Sequence, residues 1–296
     1  MIANRGIESI FHIAVVAVLF ISLPCTSAAQ KPLRIGTSKQ VFIDGRFIKN
    51  AHDVELVVNR PRLDREKLII PEHPWEDSLV GAYTSVIQEG DNVHLWYDAR
   101  SRDGKWSLAY AFSNDNGGTF LKPKLGVIDF NGSKANNLVL DHSLGHHVFR
   151  MGPDAPSNEK FGLFIHIRAD LADSNTKEKL NCAFVSSDGI LWTPKGDVPF
   201  WKVGGDLHLD TQNVIFWDTR LKKYVAFPRI FNSKIGRGVG RCEADTFAGI
   251  PKCPNPTCVM ARDPGETAQF YTSAAVQYPY AADAYFAFPA MLTSES

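Results

Sequence analysis

The sequence predicts an all-β protein, a β-propeller assembled from repeated antiparallel sheets. Three observations carry that prediction. A two-strand pattern recurs at near-constant spacing, and copies of it are followed by a third strand and a turn rich in Ser, Asp and Gly. No stretch shows the 3.6-residue apolar stripe of an amphipathic helix. Aromatic residues make up 11% of the 296 positions, in short runs separated by Gly and Pro, a distribution that favours many strands and turns.

The N-terminus reads as a leader. Arg5 supplies a basic start, Ile10 to Leu23 is almost unbroken apolar sequence, and Ser27, Ala28 and Ala29 suit cleavage after Ala29. The run is too short and wrongly flanked for a membrane span. Pro24 and Ser22 fit a lipid-attachment motif at Cys25 poorly. The expectation is therefore a signal peptide over 1–29, a single propeller domain over 30–296, and a secreted protein, extracellular or periplasmic. No second long apolar run follows, so no membrane association is expected after cleavage. Lys plus Arg equals Asp plus Glu at 32 each, which leaves no basic footprint for nucleic acid or an anionic surface.

Four cysteines follow the leader: Cys182, Cys242, Cys253 and Cys258. An oxidising compartment permits disulfides, and the Pro-Asn-Pro-Thr turn between Cys253 and Cys258 makes that pair the expected bridge. A lone C-x4-C without a nearby His pair supports zinc weakly, and no metal is expected. There is no Gly-rich phosphate loop after a strand and no G-x-S-x-G elbow, so no cofactor is expected either.

The repeat starts as Thr84–Gln88, turns through Glu89–Asn92 and continues as Val93–Tyr97. It recurs as Asn213–Trp217 with Lys223–Phe227, as Ser273–Gln277 with Tyr285–Phe288, and more weakly as His147–Phe149 with Phe161–Ile165. The anchors Val86, Val148, Val214 and Val276 are 62, 66 and 62 residues apart. A third strand, Ser107–Phe112, leads into Ser113–Phe120, which matches the S-x-D-x-G-x-T-[WF] Asp-box of sialidase-like propellers. A shorter version spans Ser186–Trp192. In such turns the Asp caps backbone amides and Gly takes a positive φ, which makes them structural rather than catalytic. The segments Gln40–Asp44 and Val54–Val58 read as N-terminal strands that close the ring. The fourth copy stops at its second strand, about one and a half blades short of a five-bladed ring, and the expectation is a truncated chain of about three and a half blades.

Several segments carry a resemblance: Val41–Asp44, Pro74-Trp75-Glu76, Trp96-Tyr97, Gly132–Val139, Asp154-Ala155-Pro156, Ser187–Trp192 and Asp210–Asn213. Together these resemble bacterial secreted proteins grouped with the N-terminal domain of glycoside hydrolase family 32. That family sits in the five-bladed superfamily of invertases, levansucrases and arabinanases. The likeness covers residues 38 to 290 and speaks to the superfamily rather than to a substrate.

It implies a site at the channel mouth, where carboxylates ahead of the inner strands surround a sugar. Glycoside cleavage needs one protonated carboxylic acid and one ionised carboxylate. The acids so placed are Glu76 and Asp77, Asp141 beside His142, Asp206 and Asp210 flanking His208, and Glu266. Asp210 and Glu76 are the expected catalytic pair, with Trp75, Asp77, His208, Gln212 and Asn213 as contacts to a carbohydrate substrate or ligand. The competing structural reading makes Asp210 a turn cap and Glu76 a solvated loop acid. The W-[ML]-N-D-P-N-G motif of the hydrolases is absent; Arg262-Asp263-Pro264 falls in a linker, and Cys242-Glu243 reverses the E-C motif on a third strand. Acid and nucleophile, and retention or inversion, therefore stay open. A non-catalytic carbohydrate-binding propeller is the alternative. A sialidase-like enzyme is a further one, but Arg100, Arg168, Arg229, Arg237 and Arg241 show no recognisable trio.

Overall fold

The computed structural model describes residues 35–37, 39–57, 59–60, 62, 68–168, 179–202, 205–253, 255–281 and 283–293. The leader expected over 1–29 lies outside them. Lys39 to Ser296 forms one compact unit. It is nearly all-β, and its helical segments among the described residues are short 3-10 turns at Gly45–Phe47, Pro74–Glu76 and Phe247–Lys252.

The first sheet runs β1 (Leu79–Glu89), β2 (Asn92–Arg100), β3 (Trp106–Ser113) and β4 (Leu138–Asp141), paired in that order and antiparallel. The second runs β5 (Ser143–Arg150), β6 (Phe161–Arg168), β7 (Lys179–Ser186) and β8 (Thr193–Pro194) in the same meander. The third holds β9 (Val214–Asp218), β10 (Lys223–Phe227), β11 (Arg229–Asn232), β12 (Gly236–Ala244) and β13 (Thr257–Met260). Here β12 bridges β10 on one half and β11 and β13 on the other. The fourth repeat supplies only short pairs, β14 (Gln269–Phe270) with β17 (Met291–Leu292) and β15 (Val276–Gln277) with β16 (Tyr285–Phe286).

The sheets stack face to face because their middle strands are apolar on both sides, and the two-residue side-chain period sorts neighbours to opposite faces. On β6, Leu163 and Ile165 pack with Trp96 and Leu108 of the first sheet, while Phe164 between them packs with Ile215 and Tyr224 of the third. On β10, Tyr224 and Ala226 face the second sheet, while Val225 and Phe227 face Ala275 and Tyr285. Each buried Val, Leu, Ile or Phe among them contributes about 1.5–3 kcal/mol by leaving water.

The Asp-box turns behave as the sequence predicts. Asp115 accepts from Thr119 N at 2.9 Å and from Ser113 Oγ at 2.6 Å, while Gly117 takes φ +83° and donates to Ser113 Oγ at 2.8 Å. These bonds hold the Asp115 carboxyl down at about 2. The shorter turn also joins two sheets: the buried Trp96 indole donates to Gly189 O at 2.7 Å, across a position where φ is +76°.

Two expectations fail. Residues 40–44 and the described part of 54–58 form no strand. Phe42 and Val54 stay 61% and 69% exposed, and Asp44 instead accepts from Arg46 N and caps a 3-10 turn. An alternating pattern yields a strand only where a sheet edge supplies partners. The bridge is Cys242–Cys253, not Cys253–Cys258. Cys253 caps the 3-10 turn Phe247–Lys252, whose Phe247 and Ile250 bury in the core that also receives Cys242, whereas Cys258 sits exposed on β13 opposite Gly240.

Candidate functional site

The first strands of the three sheets, β1, β5 and β9, approach one another. Val148 N donates to Ser85 Oγ at 2.9 Å and Ile215 N to His147 Nδ1 at 3.3 Å. Their N-terminal parts come together. Tyr83, Gly145 and Thr211 each lie three residues before an anchor valine, so they are equivalent positions of successive repeats. The Tyr83 hydroxyl meets Thr211 Oγ1 at 2.9 Å. At Gly145, with φ +70°, a Cβ would lie 3.1 Å from the Thr211 carbonyl carbon, so glycine lets the two chains touch.

Around this point the side chains divide into an enclosed layer and an open one. Asp98 of β2 is fully buried, with Oδ1 2.7 Å from His146 Nδ1 and Oδ2 accepting from Gly145 N at 3.2 Å. Gln212 donates to Thr84 O at 3.2 Å and His146 O at 3.1 Å, which ties all three sheets together. The open layer is polar. Asp210 is 55% exposed and ion-paired to Arg229, which is 4% exposed. The Arg229 guanidinium lies 5.2 Å from the centre of the Tyr271 ring. Burial pushes the Tyr83 hydroxyl up to about 12. Tyr271 moves the other way: burial raises it, but the bond from Tyr83 and the charge of Arg229 outweigh that and leave it lowered. Asp141 and His142 stand half-exposed just ahead of β5, where Asp141 Oδ1 takes Ser107 Oγ at 2.9 Å and His142 N at 2.8 Å.

The expected site residues scatter across this picture. Asp210 stands open to solvent just ahead of β9. His208 is exposed nearby with its ring 5.3 Å from Phe231. Gln212 and Asn213 were expected to meet sugar hydroxyls, yet their amides hold main chain: Asn213 donates to Leu209 O and Thr211 O and accepts from Arg229 N at 2.8 Å.

Glu76 is not an open acid. It is fully buried and accepts from Tyr97 OH at 2.6 Å, Lys122 Nζ at 2.8 Å and Glu72 N at 2.9 Å. Trp75 belongs to the same network, donating to Asn137 Oδ1 at 2.8 Å with its ring between His73 and Phe130. Asp77 is exposed, 4.0 Å from Arg102. Glu266 is likewise exposed, on the loop after β13. The sequence offers Arg229 only as one of the arginines for a sialidase-type trio, and sequence reasoning misses Tyr83 and Tyr271. For Tyr83 the signal was available, since it occupies the repeat position of Gly145 and Thr211.

No family model matches this sequence, and no curated protein matches it. Solved structures do show partial likeness. A thermostable family-43 glycoside hydrolase is 17% identical at a TM-score of 0.36, with 62% of this chain and 54% of that chain covered. A chain described as a glycoside hydrolase is 13% identical at 0.47, covering 76% and 68%. An endo-arabinase from Bacteroides thetaiotaomicron is 12% identical at 0.41, covering 76% and 78%. The chain thus spans only about half the length of the family-43 hydrolase.

Proposed function

We propose that this chain is a secreted β-propeller that engages a poly- or oligosaccharide at the mouth where β1, β5 and β9 converge, and cleaves a glycosidic bond there. The observation that carries the reading is the meeting of Tyr83, Gly145 and Thr211 beside an open Asp210. A hydroxyl-rich rim with carboxylates offers the donors and acceptors that sugar hydroxyls need. Asp210, fixed by the buried Arg229, serves as the ionised carboxylate. Asp141, from the approach to the neighbouring strand, is the second acid that such chemistry requires. Tyr83 and Tyr271 orient the ring. Glu76 and Trp75 support the sheet behind the site rather than touching substrate.

The test is turnover on a panel of plant, algal and fructose-based glycans. Asp210→Asn and Asp141→Asn should each lose at least a hundredfold in kcat with folding intact. Full turnover in both variants sinks the proposal. Binding without hydrolysis is the second reading, favoured by two observations: Arg229 already occupies Asp210, and Asp98 is sealed against His146. Retention on a glycan array with no product from any panel member selects it.

A further inference from the structure

At the opposite ends of the same inner strands, a cavity of about 330 Å³ opens between the second and third sheets. A second hollow of about 780 Å³ continues from it, and the two share Met151, Asp154, Trp217 and Asp245. Cavities of this size lie in the range that binds small ligands. Trp217, the penultimate residue of β9, forms the wall common to both. It is half-buried and held by design of the backbone: a Cβ at Gly152 would lie 2.7 Å from the indole, so only glycine lets the ring lie against that chain. Tyr224 stands at 70° to it with centroids 5.1 Å apart. Its hydroxyl accepts from Gly152 N at 3.0 Å, so the aromatic pair is fixed before anything binds.

On the rim of the smaller cavity the unmet demand has one sign, while Arg150 and Lys222 line the larger hollow. Glu159 is matched by Lys195 at 2.6 Å. Asp245 is 86% exposed with Lys223 only at 3.6 Å, and among the described residues no donor is bonded to the exposed Asp154. A flat aromatic face flanked by carboxylate acceptors suits a ligand with an apolar ring face and several hydroxyl donors. In the smaller cavity the two acids disfavour phosphates, sulfates and uronates.

We propose that the Trp217 cleft is a second, non-catalytic binding site for a neutral oligosaccharide, on the face away from Asp210, and that it holds a polysaccharide chain while the mouth acts. Two joined hollows imply more than one sugar ring. The ligand class rests on the carbohydrate reading of the mouth; the site itself does not.

The experiment is affinity electrophoresis of the full chain through gels containing neutral arabinan, xylan, mannan or fructan, followed by titration with the corresponding oligosaccharides. At least one neutral glycan should retard the parent, and Trp217→Ala and Asp154→Ala should each weaken that binding at least tenfold. Asp154 is exposed on a loop, so its variant decides the matter if Trp217→Ala fails to fold. Parent-like retention in the Asp154 and Trp217 variants, or no retardation of the parent by any neutral glycan, overturns the inference. Lost turnover in Asp210→Asn combined with parent-like binding in Trp217→Ala removes this site and leaves the mouth standing. Full turnover in Asp210→Asn and Asp141→Asn combined with lost binding in Trp217→Ala does the reverse.

Discussion

Replacing Glu76 by Gln separates a structural acid from a catalytic one. The carboxylate is 0% exposed and accepts three hydrogen bonds, from Tyr97 OH, Lys122 Nζ and Glu72 N. Gln preserves shape and removes both the charge and one acceptor. With its oxygen toward Tyr97, its amide hydrogens meet Lys122 and the Glu72 amide, both donors. Flipped, they meet Tyr97, whose oxygen already accepts from Asn137 Nδ2 at 2.8 Å and whose proton then has no acceptor. Lys122, 6% exposed, also loses the closer of its two carboxylates, Glu76 at 2.8 Å, and keeps Glu72 at 3.0 Å. Breaking a buried pair on one side costs about 3–5 kcal/mol. Because Glu72 and the Ile70 carbonyl still hold the ammonium, the lower end applies, about 3 kcal/mol. For a domain of this size that is a drop in Tm on the order of 10 °C. Differential scanning calorimetry and urea unfolding read it directly, with Asp77→Asn, an exposed acid 4.0 Å from the exposed Arg102, as the control expected to shift far less. A Glu76→Gln protein that unfolds like the parent yet has lost turnover would refute the reasoning and return Glu76 to the active site.

Three further outcomes follow from the fold. Gly189→Ala should destabilise by about 2–5 kcal/mol, from a positive φ and from overpacking where its Cβ would lie 2.4 Å from Trp96. Gly117→Ala, with φ +83° and no atom nearer than 3.9 Å, should show the backbone part alone, and equal urea midpoints for the two would refute the contact. His147 accepts from Ile215 N, and burial followed by the neighbouring His146 lowers it to about 3. The unfolded chain therefore takes up that proton first, so stability is full above pH 6.5 and declines below it, by at most about 1.4 kcal/mol per pH unit. His147→Gln should flatten the slope of unfolding free energy between pH 6.5 and 4. Peptide mapping without reductant should recover Cys242 linked to Cys253, with Cys258 alkylated in the native state and Cys182 protected. A Cys253–Cys258 peptide would contradict the packing of the 3-10 turn.

What could be read before any coordinates was local. The strand pairs around Val86, Val148 and Val214 emerge as β1–β2, β5–β6 and β9–β10, because a two-residue apolar period and a short polar turn specify a hairpin without outside help. The Ser113–Phe120 and Ser186–Trp192 turns were equally legible, since each satisfies its own backbone. The N-terminal segments were misjudged because a strand depends on an edge elsewhere.

The amino-acid order by itself determined the repeat, its register of anchors, its turns and the candidacy of Asp210. Only the tertiary structure decided which acids stand open. Glu76 and Asp210 look alike in the chain, each ahead of an inner strand, but one is enclosed by Lys122 and Tyr97 and the other faces solvent from Arg229. The same holds for Cys253, whose partner was chosen by the burial of Phe247 and Ile250. Burial is a property of what other segments bring to a residue, and sequence neighbours carry no record of it.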